Sequence, residues 1–211
     1  MAHRKTEDKP EMTEVHIDFA FMGEEDKPGE TIPILVAKER STRMCMAAAT
    51  PRKTTGDYIA KRLMAFLKEV GCAVGDMTIK ADQEPALSSI IEDLSKIRAT
   101  EGGGRLVVEN SPVGSSASNG VIERHIQVVE QQVRVMKSAL EEKWAVGIPS
   151  KHCLLPWIIE YAGLLLNRFE VGKDGKTAYE RCKGEKAKTL GIEFGESVLW
   201  KRNLLEEHWA S

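Results

Sequence analysis

Asp18, Asp82 and Glu123 are the residues whose settings point to chemistry. Asp18 lies in Val15-His16-Ile17-Asp18-Phe19-Ala20, an apolar stretch with the alternation of a strand. Asp82 closes Met77-Thr78-Ile79-Lys80-Ala81-Asp82, a second short strand, and runs on into Gln83-Glu84-Pro85. Glu123 follows Ser118-Asn119-Gly120-Val121-Ile122 where a long helix opens. A carboxylate in or at the end of an apolar strand is costly unless its charge is compensated. Two such acids with a third on a helix suggest a shared cation, and a hard divalent ion such as Mg²⁺ takes oxygen ligands of this kind. Plainer readings stand beside this one. Asp18 could be a strand-edge acid paired with a nearby Lys or Arg, Asp82 a turn residue or helix N-cap, and Glu123 a first-turn acid favoured by the helix dipole. Glu84 reads as a solvated turn acid rather than a fourth ligand.

The chain order supplies the elements that must position these residues. Strand patterns cover residues 14–22, 31–38 and 44–49, with a turn cluster at 23–29 between the first two. Residues 57–70 carry Ile59, Leu63, Phe66, Leu67 and Val70 at helical spacing, and Gly71 is a plausible stop. The strand ending at Asp82 comes next. A helix over 86–97 follows, with Leu87, Ile90, Ile91, Leu94 and Ile97 on one face. The glycines at 102–104 break it before a fifth strand at 105–108. A small-residue stretch, 110–119, reads as a mobile loop or a plain connector. It leads into the longest helix, 120–144, whose stripe Ile122, Ile126, Val129, Val133, Met136 and Leu140 packs on the sheet. Glu123 is about 100° round the helix from Ile122, at the margin of that stripe. A further helix spans 155–169, with Trp157 in the core, and strand signal returns at 197–201. The order predicts an α/β fold, a five-stranded mixed sheet flanked by helices, with Asp18 on the first strand and Asp82 ending the fourth. In open α/β sheets sites gather at strand ends, so the three acids are expected to converge.

Composition sets bounds. A chain of 211 residues suffices for one sizeable domain, or one domain plus tails. The formal net charge is −2, so any nucleic-acid binding must come from a local patch. No apolar run reaches the roughly 18 residues of a membrane span. The best candidate, 154–166, is interrupted by Pro156, Glu160 and Gly163. The N-terminus is polar and carries no secretory pattern. Cys45, Cys72, Cys153 and Cys182 are scattered without a CxxC pair and read as free thiols of an intracellular protein. No HxxxH pairing suggests zinc.

Several motifs in order resemble the catalytic core of a retroviral-type integrase, of the long-terminal-repeat (copia-like) retrotransposon polyprotein kind. His16-Ile17-Asp18 is similar to the family's first-aspartate strand, and Lys80-Ala81-Asp82-Gln83-Glu84 to its second-aspartate segment. Ser118-Asn119-Gly120-Val121-Ile122-Glu123-Arg124 resembles the NGVxER signature, the most specific of the set. Trp157, Ala162 and Asn167-Arg168 match the post-catalytic helix, and Thr177-Ala178-Tyr179-Glu180-Arg181 with Gly184 resembles a TPYExxxG segment. Phe194-Gly195 and Val198 resemble the element beyond, so the likeness covers roughly residues 14–202.

The resemblance implies an RNase H-like fold and DNA 3′-end processing and strand transfer by in-line attack on a phosphodiester, an endonuclease and transferase chemistry. It implies two Mg²⁺ or Mn²⁺ ions held by Asp18, Asp82 and Glu123, with Asp18 bridging both. It sets Asn119, Gly120, Arg124, His125 and Lys137 against DNA. With Arg134, the charged members of that set read equally as a solvated face. It further implies retroelement ends and target DNA as partners, self-association, and action in the nucleus. On this reading 1–13 is a disordered N-terminal tail, 14–170 the catalytic core, and 171–211 a C-terminal extension that starts a truncated further domain. The chain is then expected to be a fragment, or a stand-alone gene model, of a larger polyprotein.

Departures from the family pattern are visible. Asp82 and Glu123 are farther apart than is usual, which fits a loop insertion around residues 102–104. Arg124-His125-Ile126-Gln127 replaces a more basic run, so two DNA contacts are missing. Glu84-Pro85 replaces a Gly-containing segment, and no HHCC zinc module precedes the core. Two other function classes therefore stay in view: an RNase H-like nuclease without joining activity, and a catalytically inactive retroelement-derived DNA-binding protein.

Overall fold

Period-two alternation builds the sheet, because it gives each strand two usable faces. A computed structural model describes residues 12–23, 31–50, 57–110, 116–188 and 193–197. The expected tail as far as Glu11, most of the 23–29 turn, residues 111–115 and residues 198–201 of the last expected strand lie outside them. Strands β1 (Thr13–Met22), β2 (Ile32–Glu39) and β3 (Cys45–Ala49) come first, then helix α1 (Asp57–Glu69) and strand β4 (Met77–Ala81). Helix α2 (Pro85–Thr100), strand β5 (Leu106–Asn110) and helices α3 (Ser116–Trp144), α4 (Leu155–Phe169) and α5 (Ala178–Lys183) complete the order.

The sheet runs β3-β2-β1-β4-β5. β2 is antiparallel to β1 and to β3, while β4 lies parallel to β1 and to β5. This is the mixed five-stranded sheet that the sequence predicts. Odd positions of β1, such as Val15 and Ile17, face α1 and α2 in one core, with Leu63, Leu67, Leu87 and Leu94. Even positions, such as Ala20 and Met22, face α3 and α4 in a second core, with Ile122, Val129, Ile158 and Ile159. Asp18 is an even position, so it belongs to the α3 face.

Three elements differ from the sequence expectation. α3 starts at Ser116, not 120. Gly120 costs roughly 1 kcal/mol relative to Ala in a helix, too little to end one that is anchored by packing. Glu123 is therefore about two turns into the helix rather than one. α2 runs on to Thr100 because Arg98 continues its buried face past Leu94. α5 was not expected at all. Its signals are a capping box, in which Thr177 and Glu180 satisfy each other's backbone N–H groups, and Gly184 at φ 77 as C-cap.

Two polar side chains act as fasteners. Arg98 is 1% exposed, and its guanidinium donates to the carbonyls of Gly75 (2.6 Å), Cys72 (3.4 Å) and Gly104 (3.4 Å). It thereby ties the end of α2 to the turn that leads into β4 and to the turn that leads into β5. A Cβ on Gly103 would lie 2.9 Å from the Arg98 carbonyl oxygen and from its Cβ, so this crossing needs glycine. At the other edge of the sheet, the Asn167 side chain accepts from Cys45 N–H (2.8 Å) and donates to Cys45 C=O (2.7 Å). Among the described residues no helix is long and apolar enough to cross a membrane.

Candidate active site

The parallel ladder between β1 and β4 pairs Val15 with Ile79 and His16 with Lys80. The same offset carried two residues on brings Asp18 level with Asp82, which lies immediately beyond the end of β4. Side chains at matched positions of neighbouring parallel strands point to the same face, and the strands are roughly 4.8 Å apart. The paired ladder itself ends at His16 and Lys80, so the offset brings the backbone of Asp82 near the level of Asp18 without fixing its side chain. Asp18 is half-buried, and its Oδ1 accepts from Phe19 N–H at 2.7 Å, while Asp82 is exposed.

Glu123 is exposed on α3, one position after the fully buried Ile122, at the margin the helical spacing predicts. The convergence of three acids into one cluster is not reached. Among the described residues, no group of three or more His, Cys, Asp or Glu side chains stands close enough to hold one metal ion. The pair fits a hard divalent cation by donor chemistry. Glu123 would have to swing in from the helix margin to complete the set.

Beside the pair lies a charged tier. His16 sits opposite Lys38 on one side and Lys80 on the other, and Lys80 sits opposite Glu109. Glu14 is 8% exposed and gathers three donors: His16 Nε2 at 2.6 Å, Arg40 Nη1 at 3.0 Å and Lys80 Nζ at 3.3 Å. Burial pulls against ionisation of Glu14, but the bonds from His16 and Lys80 outweigh it and hold the carboxyl below its usual range. Burial pushes the His16 imidazole down, against the pull of Glu14. Its Nε2 faces the Glu14 carboxylate, and its buried Nδ1 has no hydrogen-bond partner among the described residues.

The expected DNA contacts divide. Arg124 is exposed and forms no ion pair among the described residues, and Gly120 is exposed as well. The side chain of Asn119 lies outside what the structure describes. Lys137 is half-buried, with Glu141 at 3.5 Å, and Arg134 lies 3.5 Å from Glu130, so both charges are partly offset on their own helix. His125 is corrected: it is 3% exposed and turned into the protein, where Lys38 Nζ lies 2.9 Å from its Nδ1. The reason is helical geometry, since position 125 falls three after Ile122 and four before Val129, on the buried stripe. Trp157 is corrected in the opposite sense. It is 66% exposed, on the rim of a cavity of about 310 Å³ between β3, α1 and α4 that none of the three acids lines. Glu84 occupies the N-cap position of α2 without a side-chain cap bond.

Burial lowers the His125 pKa from 6.5 to about 3, and the nearby Lys38 adds to the shift. The folded state refuses a proton that the unfolded chain accepts. Its contribution to stability is therefore complete above pH 6.5 and is lost as pH falls towards 3. The expected result is a fall in unfolding free energy on acidification, with His125 supplying up to about 1.4 kcal/mol per pH unit. His125→Gln keeps an acceptor for Lys38 and does not titrate. Urea melts from pH 7 to pH 4 should show a shallower slope for that variant. Equal slopes would mean that His125 is accessible to protons in the fold.

No family model matches the chain, and no curated protein matches its sequence. Solved structures do match in shape. The HTLV-2 integrase catalytic core domain in complex with magnesium, in a trimeric form, is 14% identical with a TM-score of 0.55, over 80% of this chain and 95% of that one. The dimeric form of the same domain is 13% identical with a TM-score of 0.55, over 81% of this chain and 94% of that one. At such identity the likeness is one of fold, and the fold of this chain is the RNase H-like architecture of integrase catalytic cores, an open mixed sheet with helices on both faces.

Proposed function

We propose that this chain is a metal-dependent polynucleotidyl transferase core that cuts and joins DNA, of the kind encoded by long-terminal-repeat, copia-like retrotransposons. What supports the reading is the place of Asp18 on β1 and of Asp82 just past the end of its parallel neighbour β4, in a fold shared with integrase cores. Asp18 and Asp82 would hold divalent Mg²⁺ or Mn²⁺, and Glu123 would close the set from α3. When bound, a pair of such ions polarises a phosphodiester and supports the attacking and leaving oxygens of an in-line displacement. The protein's own part is to carry Asp18 on a central strand and Asp82 where the neighbouring strand ends, so that the sheet supports both. No side chain attacks phosphorus on this reading; water serves in 3′-end processing and a DNA 3′-hydroxyl in strand transfer.

Partners follow from that chemistry. Retroelement ends and target DNA would be gripped through phosphates, so binding should weaken as salt rises. Joining two ends calls for more than one subunit, and the reaction places the protein in the nucleus. The separation of Glu123 from the aspartate pair favours a second reading, a fold that keeps DNA binding and has lost catalysis. A branched DNA substrate distinguishes them. Purified protein with Mn²⁺ should cleave and rejoin the branch (disintegration), and the Asp82→Asn variant should not. Binding without cleavage by the wild-type chain would select the inactive reading. Cleavage of an RNA–DNA hybrid with no joining would select a nuclease of the same fold.

A further inference from the structure

Lys38 is placed between the carriers of two candidate ligands. On β2 it stands opposite His16 of β1, two residues before Asp18. Its ammonium donates to Nδ1 of His125 on α3, two residues after Glu123, at 2.9 Å. Both partners lie under the helix: His125 is 3% exposed and Lys38 is only partly accessible. Among the described residues Lys38 makes no ion pair, and Nε2 of His125 is buried with no hydrogen-bond partner. An ammonium and an imidazole under a helix are costly where two apolar side chains would pack. What they add is direction. The apolar contacts of α3, through Ile122, Val129 and Val133, hold the helix to the sheet but tolerate small rotations and slips. A hydrogen bond of fixed length from a strand to one helical position does not.

We propose that Lys38 is a positioning residue: through its bond to His125 it sets the rotation of the first turns of α3 about the helix axis, and so holds Glu123 on the side of Asp18 and Asp82. This rests on the metal-dependent reading above and names a residue in it that touches neither substrate nor ion. The Lys38–His125 bond is absent when either partner becomes methionine. It persists in part when His125 becomes glutamine, whose side-chain oxygen can accept from the same ammonium.

Three measurements on the full chain test this. Thermal unfolding of the metal-free double variant Lys38→Met/His125→Met should be unchanged or slightly raised, because replacing both partners of a buried polar pair with apolar side chains is often neutral or stabilising. Hydrogen exchange should quicken over residues 120–126 and stay unchanged over 133–140. Mn²⁺ affinity, read by electron paramagnetic resonance without DNA, should fall about tenfold, as when a residue that orients a ligand is lost. His125→Met should match Lys38→Met, the double variant should be no worse than either single one, and His125→Gln should recover most of the affinity. In disintegration assays kcat should fall while the KM for DNA holds. A Lys38→Met chain that binds Mn²⁺ as the wild type does would overturn the role of Lys38 and leave the metal reading standing, whatever happens to exchange. A wild-type chain that binds no Mn²⁺ would overturn the metal reading, and the proposal for Lys38 with it.

Discussion

Asp18→Asn is expected to remove Mn²⁺-dependent cleavage and rejoining of branched DNA, by at least about a hundredfold, or roughly 3 kcal/mol of transition-state stabilisation. The argument is one of charge at fixed shape. Asparagine keeps the side-chain oxygen that accepts from Phe19 N–H, so the local backbone has no reason to move. It removes one of the two negative charges carried by β1 and by the residue that follows its neighbour β4. Unfolding free energy should therefore stay within about 1 kcal/mol of the parent, since the substitution creates neither a cavity nor an orphaned backbone group. Loss of activity together with loss of fold would point to a structural role for the acid instead. Glu123→Gln is the companion measurement. An equal loss would place the helix acid in the working site, and unchanged activity would remove it and leave the aspartate pair alone.

Arg98→Ala is expected to be the most destabilising single change on the α2 side of the sheet. The guanidinium is buried, and it donates to carbonyls in the turns before β4 and β5, at Cys72, Gly75 and Gly104. Truncation leaves the buried Cys72 carbonyl without this donor, frees the carbonyls of the exposed Gly75 and Gly104, and removes the packing of the buried side chain. An unsatisfied buried acceptor costs about 1–3 kcal/mol, and with the lost packing a total of about 3 kcal/mol is expected. For a chain of this size that is a fall of about 10 °C in Tm. Arg98→Lys should lose roughly half as much, because an ammonium can reach some of the same carbonyls but lacks the fork. Thermal melts followed by circular dichroism give the comparison. A variant Arg98→Ala that melts within a degree or two of the parent would show that water reaches the carbonyls.

The strands and their order were legible because apolar alternation has a single physical cause, the burial of two faces. β1 shows it plainly, with Val15 and Ile17 in one core and Ala20 and Met22 in the other. The offset of β1 against β4 was not legible, since register is a property of the ladder and of no single strand. His125 is buried because its position falls on the stripe with Ile122 and Val129, which a resemblance to a DNA-facing segment does not take into account. Arg98 was passed over for a similar reason: it falls four after Leu94, on the buried face of α2, where charge argues against burial unless backbone carbonyls wait there. α5 had all its punctuation in view, Thr177, Glu180 and Gly184, but is too short to show a period. The separation of Glu123 from the aspartates was not legible, because the approach of a helix to a sheet is set by packing and not by composition.

The bond of Asn167 to both backbone groups of Cys45 limits how two copies of this molecule could meet. β3 ends the sheet, and at Cys45 its outward N–H and C=O are already taken by an amide that imitates one residue of a neighbouring strand. A second copy cannot extend the sheet across that position without first evicting the side chain. Any pairing of subunits on this flank must then proceed through helix surfaces, and the same plug guards a five-residue border strand against amyloid-like stacking.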